Sequence, residues 1–288
     1  MDPSRTARRR GLPLTATAVL AAALLLPRAA AADVSPWVRS AQSEARLVGA
    51  GPAPDGRGLL AGVEIRLQPR FITYWRDPGD AGVPPTFFFT GSTNLATATV
   101  RYPAPSRFDE AGAEAFGYAD DVVFPILVVP ADASKPVDLA VTLDYAACHD
   151  ICLPAHADLR LTLDRQPTPD AGPVLKALAA VPRPSTVGAG GTAPAVLAVT
   201  APGAGGGFTV RAALPDADGS LFVEAPEGWA YAAGPAVPDG PGRATFPVKQ
   251  LGAPKGEARP PAPLTLTLTS PAGAVEVPVT LDAAGAKP

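Results

Sequence analysis

Apolar and polar residues alternate with a period of two along much of this chain, and this pattern restricts the fold more than any other feature. The clearest run carries its apolar side chains at Val137, Leu139, Val141, Leu143 and Tyr145. Leu159, Leu161 and Leu163 repeat the pattern a few residues later. Because successive side chains of a β-strand point to opposite faces, this spacing predicts half-buried strands.

Proline and glycine are too abundant for a protein built on long helices. The 288 residues include 36 prolines and 28 glycines, and hydrophobic residues make up 47%. An apolar fraction of this size can fill a core, while the many turn-forming residues favour a loop-rich all-β protein. The formal net charge is −3 and no extended basic run follows the N-terminal segment, so nucleic acid is not an expected partner.

A proline interrupts one of the apolar runs, residues 122–129. This residue, Pro125, has no backbone N–H to donate to a neighbouring strand. We therefore expect the strand to lie at a sheet edge or to carry a bulge at this position.

Strand-like alternation occupies two parts of the chain, separated by a stretch of different composition. Residues 166–194 are rich in proline, glycine and alanine, which is typical of an interdomain linker. We therefore predict a first β-sandwich domain over residues 33–165 and a second, smaller β-sandwich-like domain over residues 195–288. The second contains no cysteine or histidine, and the sequence does not indicate its role.

The N-terminus has the features of a secretory signal peptide. Arg5 and the arginines at 8–10 precede an apolar stretch, residues 14–26, and the small residues 30–32. The apolar stretch is shorter than the ~20 residues that a membrane-spanning helix needs, which disfavours an uncleaved membrane anchor. We therefore expect residues 1–32 to be a cleaved signal peptide and the mature protein to be periplasmic.

Every cysteine and histidine of the protein lies in one short segment between two predicted strands. Cys148 and Cys152 are four residues apart, with His149 and Asp150 between them and His156 after them. The flanking alternation makes this segment the loop end of a hairpin, a common position for a functional site. In an oxidising compartment such a pair usually forms a disulfide for at least part of the time. The cysteine pair could have three different roles.

The first is a structural staple. A disulfide stabilises a fold chiefly by restricting the unfolded chain, and the effect shrinks with the loop that it closes. For a loop as small as that between Cys148 and Cys152, the stabilisation is only about 2 kcal/mol. A bridge between distant strands would stabilise the fold more, which disfavours this interpretation.

The second is a metal site. Two thiolates and two imidazoles, from Cys148, Cys152, His149 and His156, would suit zinc or copper(I). The spacing matches no standard zinc pattern, and adjacent residues such as Cys148 and His149 seldom bind one ion. Binding of copper or zinc in the periplasm is therefore kept as the alternative function.

The third is a redox-active pair. Thiol–disulfide exchange needs an accessible, partly ionised sulfur and a second thiol nearby that resolves the mixed disulfide. Cys148 and Cys152 on a hairpin loop would supply both. A protonated His149 would favour a neighbouring thiolate, and Asp150 would oppose it. No bound cofactor is expected.

Three ordered blocks of the sequence resemble a known family. They are residues 73–82 (TYWRDPGDAG) with 84–87 (PPTF), residues 102–108 (YPAPSRF) with 116–118 (FGY) and 122–125 (VVFP), and residues 143–155 (LDYAACHDICLPA). Together they span roughly residues 40–165 and resemble the N-terminal periplasmic domain of the thiol:disulfide interchange protein DsbD, a protein-disulfide reductase family. The second domain resembles the extra β-domain of longer relatives more weakly.

The resemblance implies an immunoglobulin-like β-sandwich that relays reducing equivalents. Its partners would be periplasmic thioredoxin-fold proteins of the disulfide isomerase or cytochrome c maturation type. By the family pattern, Cys152 forms the mixed disulfide and Cys148 resolves it. A cap loop shields the pair in the family, often through an aromatic residue; Phe108 is the candidate here, with Tyr74 near the site.

One departure from the family concerns the electron source. Longer members continue into transmembrane helices and a thioredoxin-like domain, and this sequence ends at Pro288 with neither. We therefore expect the chain to be a protein-disulfide reductase module that depends on a separate membrane electron donor.

Overall fold

The alternating segments form antiparallel β-sheets, which confirms the all-β prediction. The computed structural model describes residues 33–80, 82–110, 112–189, 193–200, 203, 205–215, 218–254, 262–282 and 285–287. The predicted signal peptide, residues 1–32, lies outside this set. Within the described part of the chain, no helix is both long enough and apolar enough to cross a membrane.

The first half of the described chain is a β-sandwich. Its strands are β1 (Val38–Arg39), β2 (Ser43–Pro52), β3 (Leu59–Leu67), β4 (Ile72–Gly79), β5 (Thr86–Phe88), β6 (Leu95–Val100), β7 (Ser106–Glu110), β8 (Ala113–Ala119), β9 (Asp121–Pro130), β10 (Val137–Cys148) and β11 (Cys152–Leu163). One sheet has the order β1-β2-β3-β9-β6, and the other has the order β11-β10-β4-β8-β7 with β5 paired to β10.

The inner faces of these two sheets share one apolar core. Its fully buried members include Leu47, Ile65, Trp75, Phe124 and Leu139, which come from both sheets. Burying a large apolar side chain contributes roughly 1.5–3 kcal/mol relative to leaving it exposed. The period-two pattern therefore fixes which face of each strand lies inside.

The strand that contains Pro125 is not at an edge, because β9 lies between β3 and β6. Its pairing with β6 ends at Ile126, opposite Val100. Pro125 comes next and still accepts a hydrogen bond from the backbone N–H of Arg101, at 2.7 Å. The hydrogen-bonded pairing of β9 with β6 ends where Pro125 has no N–H to donate. An interior strand can therefore contain this proline.

Part of the predicted linker is ordered against the first sandwich. A 3-10 turn (Pro169–Ala171) leads into helix α1 (Gly172–Ala179), and the Thr168 hydroxyl accepts a hydrogen bond from the Asp170 N–H at 3.1 Å. Val174 of α1 is fully buried in a small cluster with Val48 and Leu60 of the outer sheet face. The division of the chain into domains at residues 166–194 stays a prediction.

The second half of the described chain is a further, smaller pair of sheets. Its strands are β12 (Arg183–Pro184), β13 (Ala195–Val199), β14 (Phe208–Ala213), β15 (Ser220–Glu224), β16 (Ala230–Ala233), β17 (Val237–Pro238), β18 (Arg243–Gly252), β19 (Ala262–Ser270), β20 (Gly273–Asp282) and β21 (Gly285–Lys287). One sheet has the order β12-β20-β19-β15 with β21 on β20, and the other has the order β13-β14-β18-β16 with β17 on β18. Val210, Phe246, Leu266 and Val277 fill the core between them.

The two sandwiches pack against each other through strand β15. The Phe222 ring is 1% exposed and lies in the core of the first sandwich. It makes edge-to-face contacts with Trp75 (ring centroids 5.7 Å apart) and Phe116 (4.9 Å). Arg76 binds both carboxylate oxygens of Glu224 at 2.7 Å and also pairs with Glu276.

Phe222→Ala is expected to reduce the free energy of unfolding by about 3–5 kcal/mol, the usual cost of removing a fully buried aromatic ring. Urea or guanidinium unfolding curves measure the loss. Phe88→Ala is the matched control, since that ring is 53% exposed, and it is expected to cost less than about 1 kcal/mol. Equal losses in the two variants would contradict the packing described for Phe222.

Candidate functional site

The two cysteines face each other at the closed end of the β10–β11 hairpin. The strands pair without a register shift from Val137 opposite Leu163 to Cys148 opposite Cys152. Residues 149–151 connect them, and the His149 N–H donates to the Ile151 carbonyl at 3.3 Å. The hairpin predicted from the alternation therefore brings the cysteines together, with a Cα–Cα distance of 4.1 Å.

Cys148 and Cys152 form a disulfide with an S–S distance of 2.10 Å, and the two residues differ in accessibility. Cys148 is completely buried, because β10 lies inside the sheet and Cys148 also pairs with Ile72 of β4. Cys152 begins the edge strand β11 and is exposed. Exchange starts with attack on a sulfur atom, so only the Cys152 side is open to an external thiolate.

A pocket of about 590 Å³ adjoins the disulfide. One wall comes from Ile72 and Tyr74 of β4, and another comes from Phe108 and Glu110 of β7. The connecting residues 149–151 complete the rim. Three parts of the chain that are distant in sequence therefore surround the disulfide.

The Tyr74 hydroxyl is the polar group placed against the disulfide. Tyr74 is fully buried, donates a hydrogen bond to Glu110 Oε2 at 2.7 Å, and lies 3.3 Å from Cys152 Sγ. Burial raises the pKa of Tyr74, and the hydrogen bond and negative charge of Glu110 raise it further. The phenol therefore stays protonated at neutral pH, and it is a hydrogen-bond donor beside the sulfur.

Phe108, the expected cap residue, lines the pocket beside the disulfide, and its capping role stays a prediction. Its partly buried ring packs against a small cluster that contains Ile72, Tyr74 and Cys148. Phe108 belongs to the β7–β8 hairpin, which lines the pocket together with the cysteine loop.

His149 and Asp150 both line the pocket and interact with each other. His149 Nδ1 lies 3.0 Å from Asp150 Oδ2, and its ring is tilted against Phe71 at a centroid distance of 5.8 Å. The Asp150 side chain is 90% exposed, whereas that of His149 is 27% exposed. The contact between His149 and Asp150 thus lies at the surface, and surface contacts of this kind stabilise a fold little.

His156 is engaged away from the sulfurs. Its Nδ1 lies 2.6 Å from Asp144, and its Nε2 lies 3.4 Å from Asp158. The hydrogen bond to Asp144, followed by that to Asp158, raises the pKa of His156. In the part of the chain that is described, no group of three or more His, Cys, Asp or Glu side chains is arranged to hold a metal ion.

Sequence reasoning missed Glu110 and Gly82. Glu110 is more than 30 residues from either cysteine, and no local pattern marks it as a partner of Tyr74. Gly82 has a φ of +146°, and a Cβ there would lie 2.4 Å from Tyr74 Cε1. Gly82 is the last residue of the block at 73–82, and a glycine there could have indicated that a side chain comes close to the backbone.

A comparison with protein families decides what kind of domain carries this site. Residues 44–164 match the family model described as "Thiol:disulfide interchange protein DsbD, N-terminal". The match covers less than half of the chain, and this segment is similar to the DsbD N-terminal domain. The disulfide, Tyr74, Glu110 and Phe108 all lie inside the matched segment of this DsbD-like domain, and the second sandwich lies beyond it.

Comparison with solved structures extends the shared fold past the DsbD-like domain. The N-terminal periplasmic domain of ScsB from Proteus mirabilis matches with a TM-score of 0.67 and 22% identity, over 86% of this chain and 98% of that one. Because the overlap is longer than the DsbD-like segment, the common fold includes the second sandwich. A conserved domain protein from Bacillus anthracis also overlaps, with a TM-score of 0.22 and 9% identity over 83% of this chain and 77% of that one. No curated protein sequence matches the chain.

Gly82→Ala is expected to destabilise the DsbD-like domain more than Gly112→Ala. Both glycines have positive φ, +146° and +89°, so both variants carry backbone strain of about 1–3 kcal/mol. Only the Cβ at residue 82 meets Tyr74, whereas the Cβ at 112 has open space. Denaturant unfolding measures the difference, and equal losses would show that the glycine does not make room for the tyrosine ring.

Proposed function

We propose that this protein is a periplasmic thiol–disulfide exchange protein that reduces disulfides through the reversible Cys148–Cys152 bond. The single observation that carries the proposal is the pairing of an exposed Cys152 with a buried Cys148 beside an open pocket, within a DsbD-like domain. The sulfur of Cys152 then reacts with the partner protein, and the buried Cys148 later breaks the mixed disulfide between them.

The reducing half of the cycle takes two electrons from a donor dithiol. A donor thiolate attacks Cys152 Sγ, the S–S bond breaks, and Cys148 leaves as a thiolate that takes up a proton. The second donor thiol then attacks the donor sulfur of the mixed disulfide. This releases Cys152 as a thiolate, and the donor becomes a disulfide.

The oxidising half passes the same two electrons to the acceptor. The Cys152 thiolate attacks the acceptor disulfide and forms a mixed disulfide, while one acceptor sulfur leaves and is protonated. Cys148 loses its proton and attacks Cys152 Sγ. The intramolecular disulfide re-forms, and the acceptor leaves as a dithiol. This resolving step is intramolecular, and it is fast because the paired strands hold the two cysteines close together.

Tyr74 and Glu110 adjust the charge on Cys152 during the cycle. The Tyr74 hydroxyl lies within hydrogen-bond distance of Cys152 Sγ and of Glu110, and it has one proton to donate. When Cys152 is a thiolate, the hydroxyl stabilises it by donating to sulfur, in competition with the Glu110 carboxylate. Hydrogen bonds to charged groups are worth about 1.5–3 kcal/mol, enough to change the thiolate population at neutral pH.

The partners that fit this chemistry are periplasmic thioredoxin-fold proteins. Acceptors of the disulfide isomerase or cytochrome c maturation type, and a separate membrane protein as electron donor, are the ones expected from the sequence. The exposed Ile151 beside Cys152 gives such a protein an apolar contact next to the reactive sulfur.

Cys148→Ser is expected to trap a covalent complex through Cys152, because the resolving thiol is absent. Incubation with an oxidised thioredoxin-fold protein, followed by non-reducing electrophoresis, measures the complex. Cys152→Ser is the matched control and is expected to trap little, because the remaining Cys148 is buried.

A redox titration of the unmodified protein against glutathione tests the proposal directly. The disulfide should open reversibly at a potential within the range of thiol–disulfide oxidoreductases, roughly −120 to −270 mV. A bond that stays closed throughout that range would be structural, and the proposed function would then be wrong.

Tyr74→Phe and Glu110→Gln are expected to act in opposite directions on the reactivity of Cys152. Loss of the hydroxyl removes a donor to the thiolate, whereas loss of the Glu110 charge removes a repulsion and frees the hydroxyl. In a Cys148→Ser background, the pH midpoint of iodoacetamide alkylation should rise by about one unit for Tyr74→Phe and fall for Glu110→Gln. Shifts of the same sign in both variants would contradict this role for the pair.

A further inference from the structure

Strand β15 of the second sandwich is buried on both faces and belongs to both cores. Leu221 and Val223 point into the core of the second sandwich, whereas Phe222 lies between them in sequence and enters the core of the first. Alternate residues of a strand point to opposite faces, so one short strand joins the two cores. The second sandwich therefore contributes a side chain to the core of the DsbD-like domain and stabilises it.

Arg107 of β7 binds this strand from the first sandwich. Its guanidinium donates to the Leu221 carbonyl and pairs with Glu114 of β8. The same group lies over two aromatic rings, 5.2 Å from the centroid of Phe116 and 5.0 Å from that of Phe222. Its side chain is only 23% exposed, which strengthens charge-assisted contacts of this kind.

The strand that Arg107 anchors also forms a wall of the disulfide pocket. Phe108 and Glu110 follow Arg107 on β7, and both line the pocket. Among the strands that the structure describes, β7 is the last of its sheet and has β8 as its one hydrogen-bonded neighbour. An edge strand held on one side depends on side-chain contacts for the rest of its position, and Arg107 supplies such contacts directly next to the cap residue.

We propose that Arg107 is a positioning residue through which the second sandwich fixes the β7–β8 hairpin and so controls access to the Cys152 sulfur. With Arg107 in place, Phe108 stays packed against the cysteine cluster and Glu110 stays on the Tyr74 hydroxyl. Without it, the hairpin loses the Arg107 contacts with Leu221 and Phe222 and keeps the ring contact between Phe116 and Phe222. Phe108 then leaves the cysteine cluster more often. This inference rests on the proposed exchange at Cys148–Cys152.

The rate at which dithiothreitol reduces the native disulfide tests the inference. Arg107→Ala should accelerate reduction about tenfold at a temperature well below unfolding, since the charge-assisted hydrogen bond to Leu221 no longer opposes opening of the hairpin. Arg107→Lys keeps the charge and one hydrogen bond but loses the planar fork, so it should give a smaller acceleration and partial rescue. That variant also keeps the test valid if Arg107→Ala does not fold.

Glu276→Ala is the matched control, because Glu276 binds Arg76 on β4 in the same interface between the sandwiches. It should lower the melting temperature while changing the reduction rate by less than about twofold. Equal rates in Arg107→Ala and the unmodified protein, or an equal acceleration in Glu276→Ala, would refute the positioning role. These results differ from failure of the proposed function, in which the unmodified disulfide would not respond to the glutathione titration.

Discussion

The register of the β10–β11 hairpin is the constraint on which the functional site depends. Because side chains alternate along a strand, a slip of one residue would turn the apolar face of either strand away from the core. Leu139, Val141 and Leu143 are buried on β10, and this burial fixes the pairing through to its end. Cys148 therefore meets Cys152, so the packing of a core some distance from the loop determines the formation of the disulfide.

The same hairpin makes the two sulfurs unequal. β10 has neighbours on both sides, whereas β11 is the last strand of its sheet. Cys148 is consequently enclosed, and Cys152 faces solvent. In the proposed thiol–disulfide exchange, this difference in accessibility assigns the intermolecular step to Cys152 and the intramolecular step to Cys148.

The surroundings of the disulfide connect it to the rest of the molecule. β4 carries Tyr74 at the pocket, then Trp75 in the core and Arg76 at the second sandwich. β7 carries Arg107 at the second sandwich and Phe108 at the pocket. Adjacent residues on two strands thus belong to the site and to the interface, which gives the second sandwich a physical route to influence the reactive bond.

The all-β fold, the cysteine hairpin and the DsbD-like segment could be predicted from the sequence, because alternation and short motifs are local patterns. The cysteine pair, Cys148 and Cys152, follows from the flanking alternation, whereas the placement of Tyr74 near it follows from the family resemblance. Three other features come from the folded molecule: Glu110 binds Tyr74, Phe222 enters the first core, and Pro125 lies inside a sheet at the end of its pairing with β6. Those facts depend on contacts between distant residues, and no spacing along the chain encodes them.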